Sequence, residues 1–208
     1  MELTGQFYAE LPVARKDKRK SILRAAEALF LSRRFDQVTL EEVRLKARVG
    51  KGTIYRYFAD KEDLYAQMVL SGVDDLQALL GEKARATGTP DAQLLAIAQA
   101  LRGFYRERRN LFRSAHAEFL RGTLRSRDLH RQLHERWHRT AALIASVIEK
   151  GMQQKSYRRD ISAETAARML LGMEHTAVGG PGPDRHKHLP PGKVVGLFLD
   201  GIRRRDNK

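Results

Sequence analysis

Residues 39–64 read TLEEVRLKARVGKGTIYRYFADKEDL, and this stretch decides the fold of the first third of the chain. Its apolar spacing predicts a helix over Leu40–Ala47, a tight turn at 48–50, a second helix over Lys51–Tyr57 and the start of a third at Lys61. The stretch therefore predicts three closely connected helices.

Capping residues mark the ends of these helices. Thr39 and Glu42 have the spacing of a capping box, in which the hydroxyl and the carboxylate each accept a backbone amide of the other residue. Asp60 is a candidate N-cap for the helix that begins at Lys61. The apolar residues repeat at helical spacing and are expected to face inward: Leu40, Val43, Ala47, Val49, Ile54 and Phe58.

The second helix is basic and aromatic, and two glycines flank its start. Gly50 and Gly52 allow a phosphate to approach the backbone, where the helix dipole favours an anion. Lys51 adds a positive charge for phosphates. Two side chains can contact base edges, Thr53 and Arg56. These features predict a helix–turn–helix that reads the major groove of DNA. The alternative is a basic hairpin within an ordinary helical bundle.

Residues 17–65 resemble the DNA-binding domain of TetR-family transcriptional regulators. The matching pattern is an amphipathic first helix, a Thr-capped second helix and the string Val-x-Lys-Gly-Thr-Ile-Tyr-x-Tyr-Phe-x-x-Lys-Glu-x-Leu. The resemblance implies a homodimer that represses transcription from a near-palindromic operator in double-stranded DNA until a small-molecule inducer binds its C-terminal domain. The DNA-binding residues expected from the motif and this match are Thr39, Arg48, Gly50, Lys51, Gly52, Thr53, Tyr55, Arg56, Tyr57 and Lys61.

Three residues depart from the usual pattern of that family. Arg48 stands in the turn where glycine is usual, which predicts an altered turn or an extra phosphate contact. Gly50 stands where Ser or Thr is common and removes a hydroxyl that often binds phosphate. Arg44 stands where a small residue, usually Ala, is common. These changes leave the fold expected from the resemblance intact and affect the preferred DNA site.

Composition sets broad limits on the function. The chain has 208 residues and a formal net charge of +14, which suits a polyanionic partner. It has no cysteine, which excludes disulfides and thiolate metal sites. No apolar run approaches the ~20 residues needed to span a bilayer, and the N-terminus lacks a signal-peptide pattern. We therefore expect a cytoplasmic protein without membrane contact. No catalytic or nucleotide-loop motif occurs, so neither an enzyme nor a cofactor is predicted.

Helical periodicity continues along the chain, and the predicted fold is all-α. We expect a flexible arm over 1–15, broken by Pro12, a three-helix DNA-binding domain over 16–60, and a helical ligand-binding and dimerisation domain over 61–208. The predicted helices outside the opening stretch span residues 17–33, 61–84, 90–108, 111–121, 127–153, 163–177 and 191–205, with a Gly- and Pro-rich loop over 178–192.

The last two helices are expected to form a dimer interface. They are apolar enough to need a partner surface, and Gly172 allows another helix to approach closely. A short reading helix also needs two half-sites on DNA for affinity. The alternative is that these helices complete a monomeric core.

The C-terminal domain offers a candidate ligand. Residues 102–139 contain eleven arginines and no lysine, against four acidic residues. Guanidinium groups suit carboxylate and phosphate ligands, which suggests an anionic inducer with an apolar tail, such as an acyl thioester of coenzyme A. The candidate ligand-binding residues are Phe104, Phe112, Phe119, Trp137 and His175. A solvated basic face is the alternative interpretation.

Two further interpretations stay open. His130, His134 and His138 repeat every four residues, so a pair of them has metal-chelating spacing. A polar stripe beside the apolar face is favoured, and no metal site is predicted. A DNA-binding architectural or partner-recruiting protein without an inducer is the second functional class. It would fill the C-terminal domain with side chains and have no ligand cavity.

Overall fold

The computed structural model describes residues 11–108, 127–177 and 189–203. Regular structure in these ranges is helical, as predicted. The helices are α1 (Leu11–Phe30), α2 (Leu40–Ala47), α3 (Lys51–Tyr57), α4 (Lys61–Arg85), α5 (Pro90–Glu107), α6 (Arg127–Gln153), α7 (Ala163–Ala177) and α8 (Pro191–Ile202), with a single 3-10 turn at Phe35–Gln37. None of these helices is long and apolar enough to cross a membrane.

The chain divides into two compact units, and the division falls within α4, between Gly72 and Val73. The first unit contains α1 to α3 and the start of α4, whereas the second contains the rest of α4 and α5 to α8. Because α4 is continuous from Lys61 to Arg85, one helix runs through both units.

An aromatic cluster forms the core of the first unit. The ring of Tyr65 meets Phe30 and Phe35 edge-on, with centroids 4.8 Å and 5.1 Å away. Edge-to-face pairs of this kind contribute about 0.5–1.5 kcal/mol beyond burial alone. Ile54 and Phe58 are also buried, as their spacing predicted. The core therefore fixes α3 by its inward face.

The observed start of α1 corrects the prediction of a flexible arm over 1–15. Residues 11–15 belong to the helix, and Pro12 is its second residue. Proline is tolerated in the first turn of a helix because the backbone amides there have no carbonyl within the helix to donate to. The missing N–H of proline therefore costs no helical hydrogen bond. Residues 1–10 lie outside the described part of the chain. The helix also ends at Phe30, three residues before the predicted end at Arg33.

In the second unit, α8 ends at Ile202 and does not reach the predicted end at Arg205. Arg203 adopts an extended backbone and forms an isolated antiparallel bridge with Tyr157. The amide of Arg158 donates to the carbonyl of Ile202 at 2.8 Å. This pairing replaces the next helical turn, which explains the early end.

Tyr157 is buried and anchors this corner of the second unit. Its hydroxyl donates to Asp91, which also accepts a hydrogen bond from Arg203 at 2.7 Å. Its ring lies so close to Gly151 that a Cβ there would overlap the ring carbons. Gly151 is therefore required by packing.

Candidate nucleic-acid interface

The turn between α2 and α3 keeps its tight geometry with an arginine in the left-handed position. Arg48 has φ 55° and ψ 45°. Its amide donates to the carbonyl of Leu45, and the amide of Val49 donates to that of Arg44, both at 3.1 Å. These two bonds form a Schellman motif, which normally has glycine at this position. The backbone of the turn is therefore unaltered, and the prediction of an altered turn is wrong. Arg48 occupies the left-handed conformation that glycine usually takes, at a cost in backbone strain.

Arg44 braces this turn. Its Nη1 donates to the carbonyl of Val49 at 3.1 Å, and its Nε donates to Glu41 at 2.8 Å. The ion pair with Glu41 holds the pKa of the Arg44 guanidinium above its ordinary value. Sequence reasoning noted Arg44 only as a departure from the family pattern. The three-residue spacing of Glu41 and Arg44 was the signal for this ion pair.

The predicted capping box at the start of α2 is present. The amide of Glu42 donates to Oγ1 of Thr39 at 3.2 Å, and the amide and hydroxyl of Thr39 donate to Oε2 of Glu42 at 2.9 Å and 3.0 Å. These bonds and that from Arg33 lower the pKa of Glu42, with the Thr39 amide as the largest cause. To contact a phosphate, the hydroxyl or the amide of Thr39 therefore has to give up its hydrogen bond to Glu42.

Helix α3 presents one apolar face and one polar, aromatic face. Ile54 and Phe58 are buried, whereas Tyr55 is 52% exposed and Arg56 is exposed beside it. The Arg56 guanidinium lies over the ring of Tyr57, 5.3 Å from its centroid. This arrangement leaves Tyr55 and Arg56 accessible to a partner, and their contact with bases stays a prediction.

The positive charges at the start of α3 lie near the carboxylate of Glu41, whose pKa is lowered chiefly by its hydrogen bond from Arg44 and in part by the charge of Lys51. Arg48 and Lys51 are exposed, and neither forms an ion pair with any residue that the structure describes. Unpaired surface cations on one side of a helix–turn–helix are suited to phosphates, because the contact releases condensed counterions from DNA.

Lys61 differs from these residues because its side chain faces the protein. Its Nζ donates to the carbonyl of Phe35 at 3.1 Å and lies 4.3 Å from the centroid of that ring. In this geometry Lys61 connects the start of α4 to the 3-10 turn. Its expected phosphate contact stays a prediction and requires the side chain to turn outward.

The two glycines of the interface are not required by packing within the chain. A Cβ on Gly52 would meet no described atom within 4 Å, and one on Gly50 would meet only Oγ1 of Thr53, at 3.9 Å. Gly50 is the N-cap of α3 and supplies no capping side chain. The open space at these positions leaves room for an external group to approach the backbone.

The candidate ligand-binding residues are not brought together by any described contact. Phe104 is buried in α5, while Trp137 in α6 and His175 in α7 are exposed. Phe112 and Phe119 lie outside the described residues, as does the predicted helix over 111–121. This part of the site stays a prediction.

The histidine stripe contains one close pair. Nε2 of His134 lies 2.8 Å from Nε2 of His138, so one ring donates to the other. Within residues 11–108, 127–177 and 189–203, no group of three or more His, Cys, Asp or Glu side chains has the arrangement of a metal site. The pair is exposed and supplies two nitrogen ligands at most.

Comparisons with known proteins agree with the geometry of the first unit. Residues 22–68 match the family described as "Bacterial regulatory proteins, tetR family". The repressor BepR of Brucella suis, an HTH-type transcriptional repressor, is 28% identical over 170 residues, covering 79% of this chain and 78% of BepR.

Solved structures share the fold over most of the chain. A TetR-family transcriptional regulator from Mesorhizobium loti matches with a TM-score of 0.70 and 25% identity, over 91% of this chain and 98% of that one. FadR from Bacillus subtilis, solved in complex with stearoyl-CoA, matches with a TM-score of 0.67 and 20% identity, over 88% and 98%. The family match covers the helix–turn–helix of the first unit, and the likeness to solved structures extends over the helices described in the second, which together support a TetR-family transcriptional regulator.

Proposed function

We propose that the protein is a homodimeric repressor that binds a near-palindromic operator through α3 and leaves it when a small molecule binds the second unit. The observation that carries this proposal is the outward face of α3. Tyr55 and Arg56 project from it, and the exposed charges of Arg48 and Lys51 flank its start. Arg56, Thr53 and Tyr55 would read bases, while the flanking cations would hold phosphates.

The second unit supports a dimer because α7 and α8 expose apolar and small residues. Met169 and Leu197 are both 56% exposed, and a Cβ on Gly172 or Gly196 would meet no described atom within 4 Å. An apolar surface next to glycines suits close helix–helix contact. A twofold dimer would present two copies of α3 to two half-sites of DNA.

Helix α4 is the proposed connection between ligand and DNA. Within the second unit, Asp74 accepts two hydrogen bonds from Arg136 at 2.8 Å and 2.9 Å, and Gln77 donates to the carbonyl of Arg136 at 2.5 Å. The second half of α4 is thereby fixed to α6. A ligand that moves α6 would move α4 and shift the equilibrium towards a dimer that does not fit the operator.

Two observations bear on the identity of the ligand, and they point in opposite directions. FadR shares this fold and was solved with stearoyl-CoA, which supports an anionic ligand with an apolar tail. The described arginines of the 102–139 stretch weigh against it, because four of them are already in ion pairs: Arg102 with Glu174, Arg108 with Glu107, Arg131 with Asp128 and Arg136 with Asp74. An anionic ligand would therefore depend on the other arginines of this stretch, such as the exposed Arg106 and Arg139.

In vitro selection of random DNA by the full chain, followed by sequencing, tests the proposal. We expect an enriched motif with two inverted half-sites, about 10 base pairs or a multiple of that apart. Retention of DNA without an enriched motif would contradict sequence-specific repression and favour an architectural role.

A further inference from the structure

Gln93, Thr140 and Glu174 are buried polar side chains of the second unit, and they differ in how completely they are hydrogen-bonded. Gln93 donates to two backbone carbonyls, at 2.9 Å and 2.6 Å, and accepts from a lysine. Thr140 donates to a carbonyl at 3.0 Å and accepts from a glutamine. Both follow the rule that buried polar groups are paired, and Glu174 does not.

Among the described residues, only one oxygen of the Glu174 carboxylate has a partner. Oε2 accepts from Nε of Arg102 at 2.9 Å and from Nη2 at 2.7 Å. Oε1 is buried and has no hydrogen-bond partner within the part of the chain that the structure describes. The residue as a whole is 2% exposed, so bulk water does not satisfy this oxygen.

The surroundings make an unpaired oxygen costly. Leu170 and Leu171, one turn earlier in α7, and Leu101, beside Arg102 in α5, are all buried. Burial raises the pKa of the Glu174 carboxyl despite the opposing effect of Arg102. A buried acceptor without a donor is unfavourable, and a group from outside the chain can relieve that cost.

Glu174 is also connected to the helices proposed to form the dimer. Arg102 donates through Nη1 to the carbonyl of Leu189, just before α8 begins at Pro191. One guanidinium in α5 therefore holds both α7 and the start of α8. A molecule that binds Glu174 would act on the same hydrogen-bond network that positions these helices.

We propose that Oε1 of Glu174 accepts a hydrogen bond from an uncharged N–H or O–H donor of the ligand that controls this regulator. The donor is uncharged because Arg102 already balances the carboxylate, and a second cation would bury a net charge. This inference rests on the proposed function, since it assigns one contact of that ligand. A carboxylate or phosphate cannot occupy this position, because it would face Oε1 without a proton to donate.

Two matched probes test the donor requirement. N-Methyldecanamide and methyl decanoate have the same length and shape, but the amide N–H of the first is an ester oxygen in the second. Isothermal titration calorimetry of the full chain should show the amide binding roughly ten- to a hundredfold more tightly, as expected for a hydrogen bond to a charged acceptor.

Substitution of the carboxylate should remove this preference. In Glu174→Gln the amide oxygen faces Arg102, so the amide NH₂ takes the place of Oε1 and turns an acceptor into a donor. The ester should then bind at least as well as the amide. Glu164→Gln is the matched control, because it makes the same change in the exposed ion pair with Arg168 on α7 and should leave the preference intact.

The inference is overturned if wild-type protein binds both probes equally, if it binds neither, or if the preference survives in Glu174→Gln. The wild-type comparison needs no variant, so misfolding of a variant cannot decide it. Operator binding is measured separately, by fluorescence anisotropy on the selected DNA. If the amide binds through Glu174 but does not release DNA, ligand-controlled repression fails and the Glu174 contact stands.

Discussion

Nη1 of Arg44 lies 3.1 Å from the carbonyl oxygen of Val49, and this hydrogen bond holds the turn that leads into α3. The same side chain pairs with Glu41 one helical turn earlier. The bond lies across the Arg48 position, where the backbone is left-handed. Arg44 thus stabilises a turn that the residue at 48 destabilises.

The strain at Arg48 predicts that Arg48→Gly will stabilise the protein. A non-glycine residue in the left-handed region costs about 1 kcal/mol, and glycine removes most of that cost. We expect the free energy of unfolding to rise by about 0.5–1 kcal/mol in urea denaturation. Glycine substitution at exposed Lys46 in the α2 helix, where φ is negative, is the control and should destabilise. A loss of stability in Arg48→Gly would contradict the argument.

Arg56 and Lys51 are expected to contribute to DNA binding in different ways. Arg56→Ala should cost about 1–3 kcal/mol for the preferred operator and relax base preference at one position of each half-site. Lys51→Ala should weaken binding to all sequences similarly and reduce the salt dependence by about one counterion per protomer. Fluorescence anisotropy on operator and scrambled DNA at several salt concentrations measures both. Loss of affinity without a change of preference in Arg56→Ala would contradict its base-reading role.

The exposed faces of α7 and α8 predict that Leu197→Glu will produce monomers. A buried carboxylate at a dimer interface is strongly unfavourable without a partner charge. Sedimentation velocity should show the dimer lost, and operator affinity should fall with it. Leu79→Glu, at a partly exposed leucine of α4, should leave the dimer intact. A dimer that survives Leu197→Glu would place the interface elsewhere.

The contact between Gly151 and Tyr157 predicts that Gly151→Ala will destabilise the second unit. The added methyl would overlap the buried ring, and overpacking of this kind costs about 1–3 kcal/mol. Thermal and urea denaturation measure the loss. Gly103→Ala is the control, because a Cβ there meets no described atom within 4 Å and alanine favours the helix. Equal stability of the two variants would show that Tyr157 moves aside without cost.

The environment of Asp91 predicts a pH dependence of stability. Burial alone would raise the pKa of Asp91, but hydrogen bonds from Tyr157 and Arg203 outweigh it and hold the pKa below the ordinary value of 3.8. The folded protein therefore gains stability above pH 3.8 and loses it as the pH falls further. Asp91→Asn should be less stable at neutral pH and lose less stability on acidification. The same substitution at exposed Asp75 gives the reference curve, and equal slopes would contradict the prediction.

Local residues were sufficient to predict the helix–turn–helix. The bounds of α2 and α3 agree with the sequence prediction because the Thr39–Glu42 capping box and the glycine at position 50 act within a few residues. Thr89, whose hydroxyl accepts the amide of Ala92 at 3.3 Å, fixed the start of α5 in the same way. The DNA-facing roles remain predictions, since they depend on a partner that the chain does not contain.

Tertiary structure decided the features that depend on distant residues. The end of α8 follows from pairing of Arg203 with Tyr157, and the inward position of Lys61 follows from the carbonyl of Phe35. Glu174 is paired through one oxygen with Arg102, 72 positions away in sequence, while burial leaves the other oxygen without a partner among the described residues. By itself, the sequence determined the helices, through short-range capping and periodicity. Burial and charge pairing, which join residues far apart in the chain, were decided only by the folded structure.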